Sequence, residues 1–93
     1  MLTVDPELGD TLRRALRNPR LSQSTLQALR VLLTVPPKES TTVADVAREL
    51  GFTRSTAHRY LATLVVAGLL EHEPGTRRYR RRATAALLDG RPA

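Results

Sequence analysis

No cysteine occurs in the 93 residues. That excludes disulfides, thiolate catalysis and cysteine-based zinc sites, and it fits a reducing compartment. Tryptophan is also missing, and the aromatic residues amount to two Tyr and one Phe, so any core must be built from aliphatic side chains. Long apolar runs are lacking: the longest, LVVAGLL at 64–70, is far below the ~20 residues of a membrane-spanning helix. The first ten residues, MLTVDPELGD, are acidic and lack the basic-then-apolar order of a signal peptide. There is no Gly-rich phosphate loop and no Ser–His–acid arrangement. His58 and His72 are far apart and poorly accompanied as metal ligands, and Glu71, Glu73 and the other acids form no catalytic pair. These absences lead to the expectation of a soluble, cytoplasmic, non-enzymatic protein with no metal or cofactor and no membrane partner. The length allows one domain with a modest core, since a chain of this size buries only ~60–65% of its unfolded surface.

What is present is positive charge, unevenly placed. The formal net charge is +6 and the pI is near 11.3. Residues 1–50 carry seven basic and six acidic side chains, whereas residues 51–93 carry eight basic and three acidic. Fourteen of the fifteen basic residues are Arg, the side chain suited to bidentate contacts with phosphates and guanine edges. A GC-rich genome would also enrich Arg, but it would not concentrate the excess in one half. An anionic partner is implied, nucleic acid or an acidic surface.

Periodicity and punctuation predict the elements. Asp5-Pro6 reads as a cap and first helical position, and Leu8, Leu12, Ala15 and Leu16 form a helical stripe over 6–17 that ends at Asn18-Pro19. Ser22 caps a second helix with Leu26, Leu29, Leu32 and Leu33 on its buried side, stopped by Pro36-Pro37. Thr42 caps VADVAREL, with Asp45 as a short capping-box acid. Val43, Val46, Ala47 and Leu50 make its apolar face, and Gly51 suits a left-handed end. A fourth helix runs from near Thr53 to about Ala67, ended by Gly68. LLEHE and RRYRR then flank Pro74-Gly75-Thr76, a hairpin around a type II turn. ATAALL adds a last helical turn or two, and DGRPA is a frayed end. The predicted fold class is mainly α with a small β-hairpin, a winged helix-turn-helix. An N-terminal accessory helix occupies 1–20, the winged helix-turn-helix domain 21–82 and a short tail or helix 83–93.

Helix, Gly turn and helix followed by a basic hairpin is an order in which the second helix enters a DNA major groove. At ~100° per residue, Ala57, Tyr60, Leu61, Leu64 and Gly68 share one face of the fourth helix. Ser55, Arg59 and Ala62 point the opposite way, and Thr56 and His58 lie on the flanks. Thr53 and Arg54 sit at the helix entry, where free N–H groups and the dipole attract phosphate. The candidate DNA-binding residues are therefore Thr42, Thr53, Arg54, Ser55, Thr56, His58 and Arg59, with Arg77, Arg78 and Arg80 of the hairpin tracking phosphates. Tyr79 is expected to pack on the sheet and His72 to be a solvated strand residue.

The string TTVADVARELGFTRSTAHRYLATLVVAGLLEHEPGTRRYR at 41–80 resembles the winged helix-turn-helix domain of IclR-type transcription regulators. RSTAHRYLATL and GLLE before the wing carry the resemblance, and TLQALRVLLTV upstream is similar to that family's leading helix. It implies DNA binding by Thr53, Arg54, Ser55, Thr56, His58 and Arg59. It also implies that the leading part of the domain contributes to dimer contacts. Two departures stand out. Such regulators usually carry a much larger effector-binding domain, with no counterpart in these residues, so no small-molecule effector is implied. After Tyr79 the family usually has an apolar residue and Gly, where this chain has Arg81 and Arg82.

The function expected is a sequence-specific double-stranded DNA-binding transcription regulator, nucleoid-associated, with a recognition helix at about 53–67 and a wing at about 69–82. The alternatives are a plasmid- or phage-type accessory or architectural DNA-binding protein, and a winged-helix protein–protein adaptor. An adaptor would show an apolar exposed patch, whereas TRSTAHR is polar and cationic. A homodimer is expected, with Leu8 and Leu12 as candidate contacts, unless those leucines close the monomer's own core.

Overall fold

Three helices and a small sheet enclose the core, and a fourth helix leans against them from the N-terminal side. The computed structural model describes residues 6–82. The expected cap at Asp5, the side chain of Leu8 and the segment 83–93 lie outside the described residues or side chains. The elements follow in the order α1 (Pro6–Ala15), α2 (Gln23–Thr34), β1 (Thr41–Thr42), α3 (Val43–Leu50), α4 (Arg54–Val66), β2 (Leu70–His72) and β3 (Arg78–Arg81).

The ends of α2, α3 and α4 are set by local devices that the sequence encodes. The Ser22 hydroxyl accepts from the Thr25 N–H at 3.2 Å and starts α2. Val35 is already extended at the other end, the conformation imposed on a residue before proline. The Thr42 hydroxyl accepts from the Asp45 N–H at 3.1 Å and starts α3. Gly51, at φ 73°, then turns the chain, and the Phe52 N–H reaches the Ala47 carbonyl at 2.9 Å in a Schellman-type end. The Thr53 hydroxyl accepts from the Thr56 N–H at 3.1 Å and starts α4 only two residues later. Gly68 ends α4 in the same manner as Gly51: its N–H bonds Val65 and the Leu69 N–H bonds Leu64, both at 3.0 Å. Each substitution of such a cap by Ala typically costs ~1 kcal/mol.

The core joins Val31, Leu32 and Val35 of the α2 end to Val46 and Ala47 of α3, Ala57, Leu61 and Leu64 of α4, and Leu70 and Tyr79 of the sheet. The face of α2 differs from the sequence expectation. Val31 and Val35 are fully buried while Leu29 is 41% exposed, so the buried stripe is rotated toward Leu32 and the valines. Of the four leucines expected on the core face, Leu32 is buried, Leu26 and Leu33 are half-buried and Leu29 is exposed, while Val31 and Val35 join the core beside Leu32. Leu12 is 8% exposed within the single chain. It lines a cleft with Arg30 and Leu33 of α2 and Leu50 of α3, so α1 docks on the domain through the leucine that had been a candidate dimer contact.

The sheet has three strands rather than the two of the expected hairpin. All neighbours are antiparallel, in the order β1-β3-β2. Thr41 pairs with Tyr79 and Thr42 with Arg78, while Leu70, Glu71 and His72 pair with Arg81, Arg80 and Tyr79. A two-residue strand has no period to read, which is why β1 was invisible in the sequence. The turn is as predicted: Gly75 lies at φ 72° and the Thr76 N–H bonds the Glu73 carbonyl at 3.3 Å, the geometry of a type II turn.

Two substitutions separate packing from backbone conformation. Leu61→Ala opens a cavity at a fully buried site and is expected to cost ~2–5 kcal/mol. Gly51→Ala meets no atom within 4 Å, so only the left-handed backbone opposes it, at ~1–2 kcal/mol. Urea denaturation should show both as a lower midpoint with an unchanged slope. A Gly51→Ala protein as stable as the original would show that this end is not held left-handed.

Candidate nucleic-acid interface

Burial of Ala57, Leu61 and Leu64 fixes which side of α4 is left to solvent. On that side Ser55, His58 and Arg59 are exposed, and at the N-terminal end so are Thr53 and Arg54. Thr56 is half-buried, with its hydroxyl taking a hydrogen bond from the Thr53 hydroxyl at 3.0 Å. Thr53 and Thr56 therefore close the helix entry on each other, while Arg54 and Ser55 carry N–H groups that no helical carbonyl can accept. Phe52 and Tyr60 stack at 5.7 Å, which holds the turn before α4 against its flank.

The charge on this surface is uncompensated. No acidic residue occurs from Gly51 to Leu70. Among the described residues the ion pairs are Arg13–Asp10, Arg48–Asp45 and Arg80–Glu71, and Arg54, Arg59 and Arg77 take part in none of them. These three guanidiniums stand free to meet an external anion.

The hairpin arginines divide by role. Arg77 is exposed beside the turn. Arg78 is exposed but tied to its own chain: its Nε donates to the Ser40 hydroxyl at 2.6 Å and its guanidinium NH2 to the Ser40 carbonyl at 2.9 Å. Arg80 donates to Glu71 across the β2–β3 pair at 3.2 Å. Thr42 lies directly opposite Arg78 in the sheet, so these two candidates are neighbours. The Thr42 hydroxyl is occupied as the cap of α3. Tyr79 is buried and stacks on His72 at 4.5 Å, which keeps its ring in the sheet and gives the exposed His72 a packing role.

Arg81 was seen in the sequence only as a departure from a family pattern. Its side chain is half-buried and directs NH2 toward the carbonyls of Leu32 and Leu33, 3.4 Å from each. These carbonyls close the last turn of α2, where a cation is favourable. The departure is thus a link between the wing strand and the leading helix. A basic residue in place of an apolar one, in a strand whose alternation points it inward with Tyr79, was the available signal. Ser40 gave no signal, because its partner is 38 residues away.

Comparison with known proteins agrees with this architecture. The family model for the IclR helix-turn-helix domain matches residues 24–74, more than half of the chain. The chain is similar to the crystal structure of an IclR family transcriptional regulator from Brucella abortus, with a TM-score of 0.71 and 23% identity over 78% of this chain and 28% of that one. It is also similar to Pseudomonas aeruginosa HmgR, with a TM-score of 0.54 and 26% identity over 69% of this chain and 29% of that one. The chain thus spans less than a third of the length of either structure. No curated protein matches it.

The division of the hairpin arginines can be measured without any ligand. Arg78→Ala removes two bonds to Ser40 and is expected to lower stability by ~1 kcal/mol. Arg77→Ala should stay within ~0.5 kcal/mol of the original. Equal urea midpoints for the two variants would contradict the structural role given to the Arg78–Ser40 bonds.

Proposed function

The chain belongs to the family of IclR helix-turn-helix domains, a DNA-binding module of transcription regulators, and on that premise we propose a sequence-specific duplex-DNA-binding role with α4 in the major groove. The observation that carries this reading is the outward face of α4, where Arg54 and Arg59 are exposed, take part in no ion pair and have no carboxylate on their own helix. Ser55 is small enough to let the helix approach base edges closely. Thr53, Thr56 and the first-turn N–H groups form the end that favours phosphate. His58 lies beside Arg59 as a further groove or phosphate contact.

Arg77 is a free cation beside the turn of the wing. Arg78 and Arg80 contribute field rather than reach, because their guanidiniums already bond Ser40 and Glu71. Thr42 contributes by fixing α3, against which α4 packs. Residues 21–82 act as the binding unit, with 1–20 as an accessory segment whose helix α1 docks through Leu12. The cationic, carboxylate-free N-terminal half of the α4 face disfavours the adaptor reading, and recovery of a consensus from a random duplex pool would separate a regulator from an architectural binder.

A homodimer completes the proposal. Helix-turn-helix modules commonly gain affinity by occupying two half-sites ~34–36 Å apart. Leu12 is covered by its own chain, which moves the proposed contact to the leucines left outward around α2, Leu21 at 44% and Leu29 at 41% exposure.

On a selected duplex, Arg59→Ala should cost ~1–3 kcal/mol and relax preference at one base position. Arg77→Ala should weaken all sequences alike and reduce the salt slope by roughly one unit. Unchanged affinity and preference for Arg59→Ala would remove it from the interface. Sedimentation tests the assembly: the original chain should be dimeric at tens of micromolar and Leu29→Asp a folded monomer. A folded, monomeric original bound one per site would end the dimer proposal.

A further inference from the structure

Val66 is 89% exposed, an unusual placement for a β-branched apolar side chain on a helix with a well-filled inner face. It does not stand alone. Ser55, Arg59, Ala62 and Val66 are spaced i, i+4, i+7 and i+11, and at ~100° per residue they fall within about 60° of one another. The stripe is polar and cationic at its N-terminal end and apolar at its C-terminal end, with Val66 ~16 Å along the axis from Ser55. His58, Arg59, Ala62, Thr63, Val66 and Ala67 line one shallow, largely apolar depression on this side. The Thr63 hydroxyl donates to the Arg59 carbonyl at 2.8 Å, so its proton is spent inside the helix and the methyl remains to be presented.

Resting on the reading of α4 as the groove helix, we propose that this apolar half of the face reads thymine. Val66, with Ala62 and the Thr63 methyl, takes 5-methyl groups on the major-groove floor. The occupant follows from two observations. The depression is continuous with the cationic face, sharing Arg59 and His58 with it, so a duplex seated on that face extends over it. Among the groups that the four bases show in the major groove, the thymine methyl is the one apolar element. The specificity of α4 is therefore divided along its length: Arg59 takes a polar base edge, and one turn to two turns further on Ala62 and Val66 select thymine by shape and apolar contact. Burying one methyl group corresponds to about fourfold in affinity.

The test uses the full chain and a duplex selected from a random pool. Each thymine is replaced in turn by deoxyuridine, which keeps pairing and charge and removes only the methyl. One or two positions should lose about fourfold in affinity with the original protein. Val66→Ser should bind the thymine duplex about fourfold more weakly, keep the salt slope, and show little or no further loss with deoxyuridine at one of those positions. Because Val66 is exposed, its helix content and urea midpoint should be unchanged, and Val66→Ala provides a second variant with high helix propensity. Tolerance of deoxyuridine at every position, or an undiminished loss with both Val66 variants, overturns the proposal, and a protein partner on this face would give that outcome. Failure of the DNA reading looks different: no duplex is enriched and no salt-dependent binding occurs, and the thymine proposal falls with it.

Discussion

The wedge of Leu61 and Leu64 between α2, α3 and the sheet sets the rotation of α4, and the surface offered to a partner is its consequence. A helix has one rotational freedom that its backbone does not decide. Here it is decided by which residues are apolar and where the surrounding elements leave room. Fully burying Leu61 and Ala57 turns Ser55 and Arg59 outward by geometry alone. A slip of one residue would carry the rim of that face by ~100° and replace an arginine with a histidine or a tyrosine at its centre.

Caps then fix where that helix begins. Gly51, Phe52 and Thr53 close one helix and open the next within three residues. The Thr53 hydroxyl serves both the Thr56 N–H and the Thr56 hydroxyl. The orientation of α4 against α3 is therefore held by backbone conformation at Gly51 and by the Phe52–Tyr60 stack. The charged residues at the entry need no ion pair to hold them there, which is what leaves them available.

Much of this was legible in the sequence because it is local. Caps at Ser22 and Thr42, the start of a helix near Thr53, the left-handed glycine at 51 and the Pro74-Gly75 turn are decided by neighbours within a few residues. The phase of α4 follows from a single period. What could not be read is long-range. On α2 Leu29 was misplaced and Val31 and Val35 missed, because leucine count outweighed the fit of the valines into a space defined by other helices. β1 is two residues long and exists only because β3 comes to lie beside it. The commitment of Arg78 to Ser40 and of Arg81 to the α2 end depends on contacts 38 and 49 residues apart. In the sequence Arg77, Arg78 and Arg80 looked equivalent; in the structure Arg77 is free, whereas Arg78 bonds Ser40 and Arg80 bonds Glu71.

The strand order carries one more consequence, for behaviour in a crowded solution. β3 lies in the centre, and its two flanks are β1 and β2, of two and three residues. Unpaired strand edges are the templates on which chains add to one another. Edges this short offer too few consecutive N–H and C=O groups to register a foreign strand, and the central strand carries arginines that repel a second copy of itself. The sheet is thereby protected from edge-to-edge aggregation, which matters most for a small domain whose modest core exposes much of its surface.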